Sequence, residues 1–525
     1  MNRFYLCIFF GGMTYAVQEV ELNPIEVNGM QYKLNELNRN VYFVDSQAIS
    51  DKGFLDSKSL FTSLPFVTFS DFGLGGNIDL RGQGASANVN TQVLLNGVGL
   101  NMLDSSHGVT PLSSIGVDEI ESIQILAGGG AVMYGSGTRG GVVNISTKKR
   151  YEKFYSSLGA EYSYSNGSRA KIDAKVADKI IDGLYYTIGG NYRFVEGYRD
   201  GDIAHLGGVN ATLTWDINPS NSLQGEVSYF KSLQATTPLL CFSTIPSPGI
   251  SDRSKAGDGE ILISQDRISS TLGYEGKFGS EYSLSLKAFF HHYKLGYEKN
   301  IQNMDYTYMS FFLPDTSISQ NGSSFVDDKF GVQAKYTFAH LHGELIVGVD
   351  SIFQQGVRDL KLDISWSGNV SMGTIFSLTG YQHFINTQVN AKKWSNSIYA
   401  LEKYNFTKDF SLTAGIRYEL AWYGGERNLY NEMQIAMTPF SFPISPYSLY
   451  KSISDLRHNY ALELTPRYAF EFGDLYAKYE RGFRSPNPDN LTSRSGSGSK
   501  SGYMDTNVKS ETFDTFELGG EVFYR

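Results

Sequence analysis

The 525-residue sequence predicts an all-β transmembrane barrel preceded by a small α+β domain. From about residue 151 onward, long segments alternate apolar and polar side chains, the pattern of strands with one lipid-facing and one lumen-facing side. The connections between these segments are alternately short and long. Upstream, residues 60–149 contain short apolar runs separated by glycine clusters, which indicates a compact globular domain.

The alternation predicts about fourteen strands in the C-terminal region. Between Phe410 and Leu420 every even-numbered position is apolar or aromatic, and the odd-numbered positions are polar or glycine. A soluble β-sandwich strand can show the same pattern, but strand lengths of ten or more residues and an export signal favour a transmembrane barrel. The predicted strand centres lie near residues 160, 173, 189, 211, 226, 271, 287, 332, 347, 400, 415, 465, 479 and 518.

The two kinds of connection indicate which side of a membrane each end of the strands faces. Outer-membrane barrels have short periplasmic turns and longer external loops, whereas a sandwich does not sort its loops in this way. The short connections are at residues 178–183, 218–221, 278–281, 339–342, 406–409 and 472–474. The long ones are expected near 232–266, 297–325, 355–394, 422–458 and 484–510.

Composition excludes several classes of protein. A hydrophobic content of 41% with a net charge of −9 argues against disorder, and the sequence has no apolar run of the ~18–20 residues that a spanning helix needs. The acidic balance, without a basic stripe, argues against a nucleic-acid partner. With 35 tyrosines, 34 phenylalanines and 55 glycines, the composition favours strands and interfacial aromatic girdles.

The first sixteen residues have the pattern of a secretory signal peptide. Arg3 supplies the positive region, Phe4–Phe10 is the apolar region, and Thr14 and Ala16 suit the cleavage site, so the mature chain is predicted to begin at Val17. Removal of this segment also removes Cys7 and leaves Cys241 alone, which excludes a disulfide framework and a CxxC metal site.

Five motifs in the N-terminal domain carry a family resemblance. The runs Asn77–Leu80, Gln92–Leu95, Ser122–Leu126 and Val142–Ser146 are predicted as short buried strands. Around them the pattern SLPGV, IxIRG, VLVDGVPL, IERIEVLRGP, LYGxxAxGGVINIITK is matched at Ser63–Val67, Ile78–Gly82, Val93–Leu100, Ile120–Gly128 and Met133–Lys148. The chain resembles TonB-dependent outer-membrane receptors, in which a plug domain fills the lumen of a large barrel. The loop NMLDSSHGVTP and the run GGGAVMYGSGTRGG resemble epsilonproteobacterial receptors of the ferric dicitrate type.

The resemblance implies a domain order and a set of partners. It places a signal peptide at 1–16, a tail with a TonB box at 17–40, the plug at 41–149 and the barrel at 150–525. The TonB box is expected to pair as an added strand with TonB and its ExbB-ExbD complex, although an ordinary disordered tail fits the same residues. The box residues are Leu22, Pro24, Ile25, Glu26 and Val27. The implied protein is a monomeric receptor of the bacterial outer membrane, in contact with its lipid and lipopolysaccharide, with an iron chelate as ligand.

The barrel is expected to be incomplete. Family barrels have 22 strands, and the segments Gly482–Asn487 and Lys509–Thr512 resemble the family signature GFRxPN … LKPET, which lies well before the barrel's end. The chain therefore resembles a receptor that is truncated after about fourteen strands. We expect an open or distorted wall whose edges, near residues 160 and 518, are not hydrogen-bonded together. A complete fourteen-stranded barrel is the alternative, but its lumen would be narrow for a plug.

The sequence shows no catalytic constellation, so we expect neither an enzyme nor a bound cofactor. The Gly128–Gly141 run lacks the lysine of a phosphate-binding loop, and the eight histidines include no HExxH motif. His291 and His292 are adjacent on a strand and point to opposite faces, which does not suit a shared metal ion.

Binding is the better-supported chemistry. The plug loops Gln83–Asn90 and Asn101–Thr110 should face outward, where amide, hydroxyl and imidazole groups could donate to an anionic chelate. Asp104 and His107 could also bind a metal directly, although the loop suits a solvated surface equally well. Basic residues of the external loops could close over the ligand. The candidate ligand-binding residues are Gln83, Asn101, Asp104, Ser105, His107, Arg253 and Arg358.

The charges that hold plug to barrel are only partly those of the family pattern. Within Ile120–Gly129 the chain keeps Glu121 but lacks both arginines and the second glutamate of IERIEVLRGP. Arg81 and Arg139 are therefore the remaining cations predicted to pair with lumen glutamates. The candidate partners are Glu226, Glu419 and Glu480.

Overall fold

The computed structural model describes residues 41–522 except positions 51, 53, 55, 72–75, 104–109, 148–150, 165–166, 239–257, 309–310, 373–375, 439–440 and 497–499. The signal peptide and the TonB box predicted from the sequence lie outside the described residues, as do Asp104, Ser105, His107 and Arg253.

Residues 41–147 form a small mixed domain, called the plug below. Its main sheet has the order β1-β6-β7-β4-β5, in which β4 and β7 are parallel and the other pairs are antiparallel, and β2 and β3 form a separate hairpin. The elements are β1 (Val41–Asp45), α1 (Ser46–Ser50), α2 (Ser57–Thr62), β2 (Val67–Asp71), β3 (Gly76–Leu80), α3 (Ala87–Asn90), β4 (Thr91–Leu95), β5 (Val98–Gly99), β6 (Ile120–Ala127), α4 (Ala131–Tyr134) and β7 (Gly141–Thr147), with 3₁₀ turns at Gly84–Ser86, Leu112–Ser114 and Val117–Glu119.

The plug core explains why its strands form. Ile123 and Ile125 of β6 pack with Val143 and Ile145 of β7 and with helix α2, and these side chains are buried. Burial of four such aliphatic side chains contributes roughly 1.5–3 kcal/mol each. The four strands predicted from the apolar runs are confirmed as β3, β4, β6 and β7.

The second body is one large sheet of fifteen strands in the described residues. All fourteen predicted strand centres fall inside its strands. The strands are β8 (Tyr155–Tyr164), β9 (Ser168–Ile181), β10 (Leu184–Glu196), β11 (Ile203–Asn218), β12 (Asn221–Thr236), β13 (Gly259–Phe278), β14 (Tyr282–Tyr308), β15 (Phe311–Ser319), β16 (Ser324–His340), β17 (Gly343–Met372), β18 (Phe376–Asn405), β19 (Phe410–Thr438), β20 (Ser441–Phe470), β21 (Gly473–Arg484) and β24 (Glu511–Val522), and the separate hairpin β22 (Thr492–Ser495) and β23 (Gly502–Asp505) lies between β21 and β24.

Neighbouring strands pair antiparallel in chain order, and the path runs from β8 to β24. The additional strand β15 pairs with the upper part of β14 and with β17. Among the described residues no ladder joins β8 to β24, so the expected unpaired edges near residues 160 and 518 are present. The plug and the β-strand wall together confirm the predicted fold class.

Three of the predicted long loops are instead extended hairpins. The segments 297–325, 355–394 and 422–458 are largely strand, and β17, β18 and β20 each contain 30 residues. A strand of that length extends ~100 Å, whereas about ten residues cross a bilayer. The ladders therefore continue well beyond the membrane, because cross-strand hydrogen bonds persist where the strict polar–apolar alternation has ended.

The two faces of the wall differ as the alternation requires. Apolar side chains on the outer face are exposed, and these include Ile188, Leu213, Val227, Leu272, Phe290, Val332, Ile398 and Ile416. Residues between them face the plug, such as Glu226 beside Val227. Aromatic rings cluster at the short-turn end, with centroid separations of 5.1 Å for Tyr282–Phe338 and 4.8 Å for Tyr404–Phe406. This arrangement matches an apolar band that ends in an aromatic girdle. Among the described residues, no helix combines the length and apolar character needed to cross a bilayer.

The outer face supplies a first prediction. Leu272 is 54% exposed on the outer wall, whereas the adjacent Thr271 pairs with lumen-facing Glu226. Leu272→Arg should destabilise the lipid-embedded protein by about 2–4 kcal/mol, because it places a charge in the hydrocarbon region. The matched variant Thr271→Arg should cost much less, because its charge faces a polar lumen and a glutamate. Denaturant unfolding in lipid vesicles measures both, and equal losses would contradict the assignment of faces.

Candidate plug–barrel interface and ligand-binding face

Basic side chains on the lumen face of the wall hold the plug by its main chain. Strand alternation directs every second residue of β9–β16 inward, so lysines and arginines at those positions reach the plug surface. Each donates to a plug carbonyl oxygen, and these bonds are Lys175 Nζ to Asp118 at 2.9 Å, Arg193 to Ser113 at 3.1 Å, Arg267 to Ser114 at 3.1 Å and Lys287 Nζ to Asn96 at 2.7 Å.

Two plug carboxylates complete this side of the interface. Asp118 pairs with Lys171 at 2.8 Å, and Glu119 accepts a hydrogen bond from Asn191 at 3.0 Å. Burial is the largest influence on Glu119 and raises its pKa, while the positive charge of Arg267 opposes that shift. The 3₁₀ turn Val117–Glu119 therefore presents both side-chain and main-chain acceptors to the wall.

A second contact fixes the plug segment that leads to the predicted ligand loop. Lys329 Nζ donates to the carbonyl oxygens of Gly99 at 2.7 Å and Asn101 at 3.0 Å. Asp327 accepts from the main-chain nitrogen of Leu103 at 2.7 Å and from Gln354 Nε2. Since Lys329 and Asp327 are buried, these bonds satisfy charges that would otherwise be costly to bury.

The third contact is a carboxylate clamp on the glycine run. Glu480, fully buried on β21, accepts from the main-chain nitrogens of Gly130 and Ala131, both at 2.9 Å, and pairs with Lys478 at 2.8 Å. The backbone at Gly129 and Gly130 has φ of +77° and +108°, and a Cβ on Gly129 would collide with the Glu480 and Lys478 side chains. Gly129 is therefore required by a close approach to the barrel, and Gly130 by its left-handed backbone conformation.

The structure places the predicted plug–barrel residues as follows. Arg81 reaches Glu517 at 2.7 Å and Arg139 reaches Glu511 at 2.9 Å, both on β24. The predicted partners were wrong: Glu226 accepts from Asn96, Glu480 binds plug main chain, and Glu419 accepts from Asn459 and Ser485. The Glu121 carboxylate makes no hydrogen bond or ion pair within the described part of the chain.

Asn101 has a different role from the predicted one. Its Oδ1 accepts from Val93 at 2.9 Å, and its Nδ2 donates to the carbonyl oxygens of Asn88 at 2.6 Å and Thr91 at 3.0 Å. Both amide hydrogens are committed inside the plug, so Asn101 shapes the base of the loop rather than donating to a ligand. Gln83 Nε2 similarly donates to the carbonyl oxygen of Arg81 at 3.3 Å.

The basic residues of the external strands are also committed within the protein. Arg358 is buried and lies 3.8 Å from the carboxylate of Asp489, so it is not an open arm above the ligand site. Arg427 donates to the carbonyl oxygen of Thr492, and its guanidinium lies 4.9 Å from the centre of the Tyr503 ring, which anchors the β22–β23 hairpin.

Sequence reasoning missed the residues that carry most of the interface. Lys287, Lys329 and Asp327 look like ordinary strand residues in the sequence. They differ from other charged residues only in their place in the apolar–polar alternation, which directs their side chains into the lumen. A charged residue on the lumen face of a strand near mid-membrane was the available signal, because such a group needs a partner in the lumen.

Comparison with known proteins now identifies the family. Residues 33–142 match the model of the TonB-dependent receptor plug domain, and residues 198–525 match that of the TonB-dependent receptor-like β-barrel. The chain belongs to the TonB-dependent receptor family.

Curated relatives of the receptor match only in part. A probable TonB-dependent siderophore receptor, PirA of Acinetobacter baumannii, is 34% identical over 134 residues, which are 23% of this chain and 17% of that protein. The metal-pseudopaline receptor CntO of Pseudomonas aeruginosa is 25% identical over 183 residues, which are 34% of this chain and 25% of that protein. The aligned part of the receptor thus spans a quarter or less of either relative.

Solved structures share the receptor's fold at low identity. The ferric yersiniabactin uptake receptor FyuA of Yersinia pestis aligns with a TM-score of 0.63 at 14% identity, covering 93% of this chain and 70% of that chain. The unliganded ferric citrate transporter FecA gives 0.63 at 15%, covering 92% and 67%. The siderophore receptor PiuA of Acinetobacter baumannii gives 0.65 at 14%, covering 92% and 69%.

The clamp on the glycine run gives a second prediction. Glu480→Gln should destabilise the plug–barrel contact by about 2–5 kcal/mol, because an amide NH₂ then faces two main-chain donors and Lys478 loses its counter-charge. Glu511→Gln is the matched control, since its arginine partners Arg139 and Arg484 are 50% and 33% exposed. That change should cost no more than about 1 kcal/mol. Unfolding free energy and protease cleavage of the plug measure both, and similar losses would contradict the clamp.

Proposed function

We propose that the receptor imports an iron chelate across the outer membrane into the periplasm with energy from the inner membrane. The observation that supports this is the plug, which is bonded to the wall by buried hydrogen bonds and ion pairs at Lys329, Arg267 and Glu480. Each such bond to a charged group contributes ~1.5–3 kcal/mol, so thermal motion does not displace the plug as a unit. Passage of a ligand then needs external work.

The energy source in this proposal is TonB with its ExbB-ExbD complex. The segment Leu22–Val27 has an alternating apolar pattern with a proline, which suits an extended peptide that adds as a strand to a periplasmic partner. The receptor acts as a monomer in the bacterial outer membrane, with its exposed apolar band against lipid and the outer strands against lipopolysaccharide.

Ferric citrate is our first choice of ligand. The loop NMLDSSHGVTP supports it by resemblance, and one of the structures with the same fold is a ferric citrate transporter. Other siderophores, a nickel chelate, haem and cobalamin are the alternatives. The curated relatives include receptors named for a siderophore and for metal-pseudopaline, which supports a metal chelate as the class.

Two rival functions make different predictions. A passive porin would conduct ions without ligand, and the bonded plug argues against it. A surface receptor or adhesin without transport would leave growth under metal limitation unchanged. Growth of a deletion strain on defined chelates separates both rivals from an importer.

Deletion of Glu21–Val27 from the full-length receptor tests the energy coupling and is our third prediction. Uptake of ⁵⁵Fe-labelled ferric citrate should fall to the level of a strain without TonB, whereas binding at the cell surface should stay unchanged, because the deletion removes only the periplasmic attachment. Replacing the same residues by a Gly/Ser linker of equal length is the control for tail length and should behave like the deletion. Normal uptake in either variant would disprove the box assignment.

The fourth prediction concerns the loop predicted to meet the ligand. The double variant Asp104→Ala/His107→Ala should weaken binding of ferric citrate at least tenfold, if a carboxylate and an imidazole contact the chelate. The control variant Ser106→Ala changes another polar group of the same loop and should have a smaller effect. Wild-type affinity in the first variant would make this a solvated loop.

A further inference from the structure

A polar cavity of about 200 Å³ lies between the plug and the wall formed by β16–β19 and β21. The plug side includes Thr91, Gln92 and Met133, and the barrel side includes Lys393 and Ser397. Ordinary ligand pockets measure ~300–1,000 Å³, so this cavity fits a carboxylate-sized group rather than a whole chelate.

Most charged side chains around the cavity have a close hydrogen-bond or ion-pair partner. Asp350 pairs with Arg417 at 2.7 Å, and Glu419 accepts from Asn459 at 3.1 Å. Lys329 is taken up by plug carbonyl oxygens. The acidic groups of the cavity and most of its cations therefore already have close partners.

Lys393 is different. Its side chain is only 14% exposed, and its ion pair with Glu419 is long, at 3.9 Å. Within the part of the chain that the structure describes, its ammonium group has no hydrogen-bond partner. An ammonium group has three hydrogens to donate, and burying them without acceptors is unfavourable.

Two residues with neutral donor groups line the cavity together with Lys393. The hydroxyl oxygens of Thr91 and Ser397 are buried and have no hydrogen-bond partner in the described structure. One of these residues belongs to the plug and the other to the barrel, so the cavity brings together donors from both bodies and a weakly paired cation. Two hydroxyl donors with one ammonium group match the acceptor oxygens of a carboxylate.

We propose that this cavity is an anion site, which holds a carboxylate group of the ligand as it passes between the plug and the wall of β16–β19. The transit role rests on the proposed import function, whereas the anion site is a property of this chain alone. Lys393 supplies the charge, and Thr91 and Ser397 supply the neutral donors. The start of the predicted ligand loop, Asn101–Leu103, forms part of the cavity lining.

Thiol modification tests the anion site directly in the purified full-length receptor. Ser395 lines the cavity one pleat from Lys393, so Ser395→Cys in a Cys241→Ser background places a thiol ~7 Å from the ammonium group. An anionic and a cationic methanethiosulfonate reagent should differ in rate there, after normalisation to Ser280→Cys in an exposed turn. Adding Lys393→Gln should lower the anion-to-cation rate ratio about sevenfold, because a unit charge at that distance changes each rate about threefold even in water.

Lys392→Gln is the matched control, because the adjacent lysine lies on the opposite face of β18 and should leave the ratio unchanged. Free citrate should slow modification by the anionic reagent, and that protection should be lost with Lys393→Gln. An unaltered ratio with Lys393→Gln, a thiol that neither reagent reaches, or citrate without effect would each overturn the anion site.

Uptake measurements distinguish the anion-site proposal from the proposed import function. In cells, Lys393→Gln should reduce ⁵⁵Fe-labelled ferric citrate uptake several-fold with surface affinity unchanged, and Lys392→Gln should transport normally. Charge-selective thiol modification in a receptor whose uptake does not need the TonB box would refute energised import and leave the anion site standing. Normal uptake with Lys393→Gln would refute transit through the cavity.

Discussion

The burial of charge in the lumen is the constraint on which the structure depends. Most lysines, arginines and acids on the inner face of the wall are shielded from water by the plug, and a charge buried in this way is costly without a partner. The partner is mostly the plug main chain, as Lys287 shows with the carbonyl oxygen of Asn96 and Glu480 with the nitrogens of Gly130 and Ala131. The barrel thus recognises the backbone shape of the plug more than its side chains. This explains how the plug is held although two arginines of the family pattern are missing.

The same constraint decides how a passage could open. Withdrawal of the whole plug would break the bonds to β9–β13, the contacts of Lys329 and the Glu480 clamp together, at a cost of ~1.5–3 kcal/mol for each bond to a charged group. A shift of the plug face beside the polar cavity would break the contacts of Lys329 with Gly99 and Asn101 but leave the bonds to β9–β13 and the Glu480 clamp in place. In the proposed import, a local displacement of the plug therefore needs less work than its complete withdrawal.

Much of the fold could be predicted from the sequence because its signals are local. The centres predicted from the period-two alternation all lie inside observed strands, and the apolar runs between glycines correspond to β3, β4, β6 and β7. The long hairpins were missed because hydrogen-bonded ladders extend beyond the membrane without an apolar face. The site was harder, since Arg81 meets Glu517 rather than Glu226 through the position of the plug in the barrel, which no local pattern specifies. Asn101 was misjudged because an amide on a loop suits a ligand and its own backbone equally well.

Irregular structure in the plug follows from its position against the wall. The 3₁₀ turns Leu112–Ser114 and Val117–Glu119 and the start of α4 leave main-chain groups without partners inside the plug, which is usual at the ends of short helical turns. Water would satisfy these groups in an isolated domain, but here the barrel wall covers them. Arg193, Arg267, Lys175 and Glu480 supply the missing partners from the barrel. Plug and barrel therefore complete each other's hydrogen bonding. Removal of a partner on either side would leave a buried polar group without a hydrogen bond, which is energetically costly.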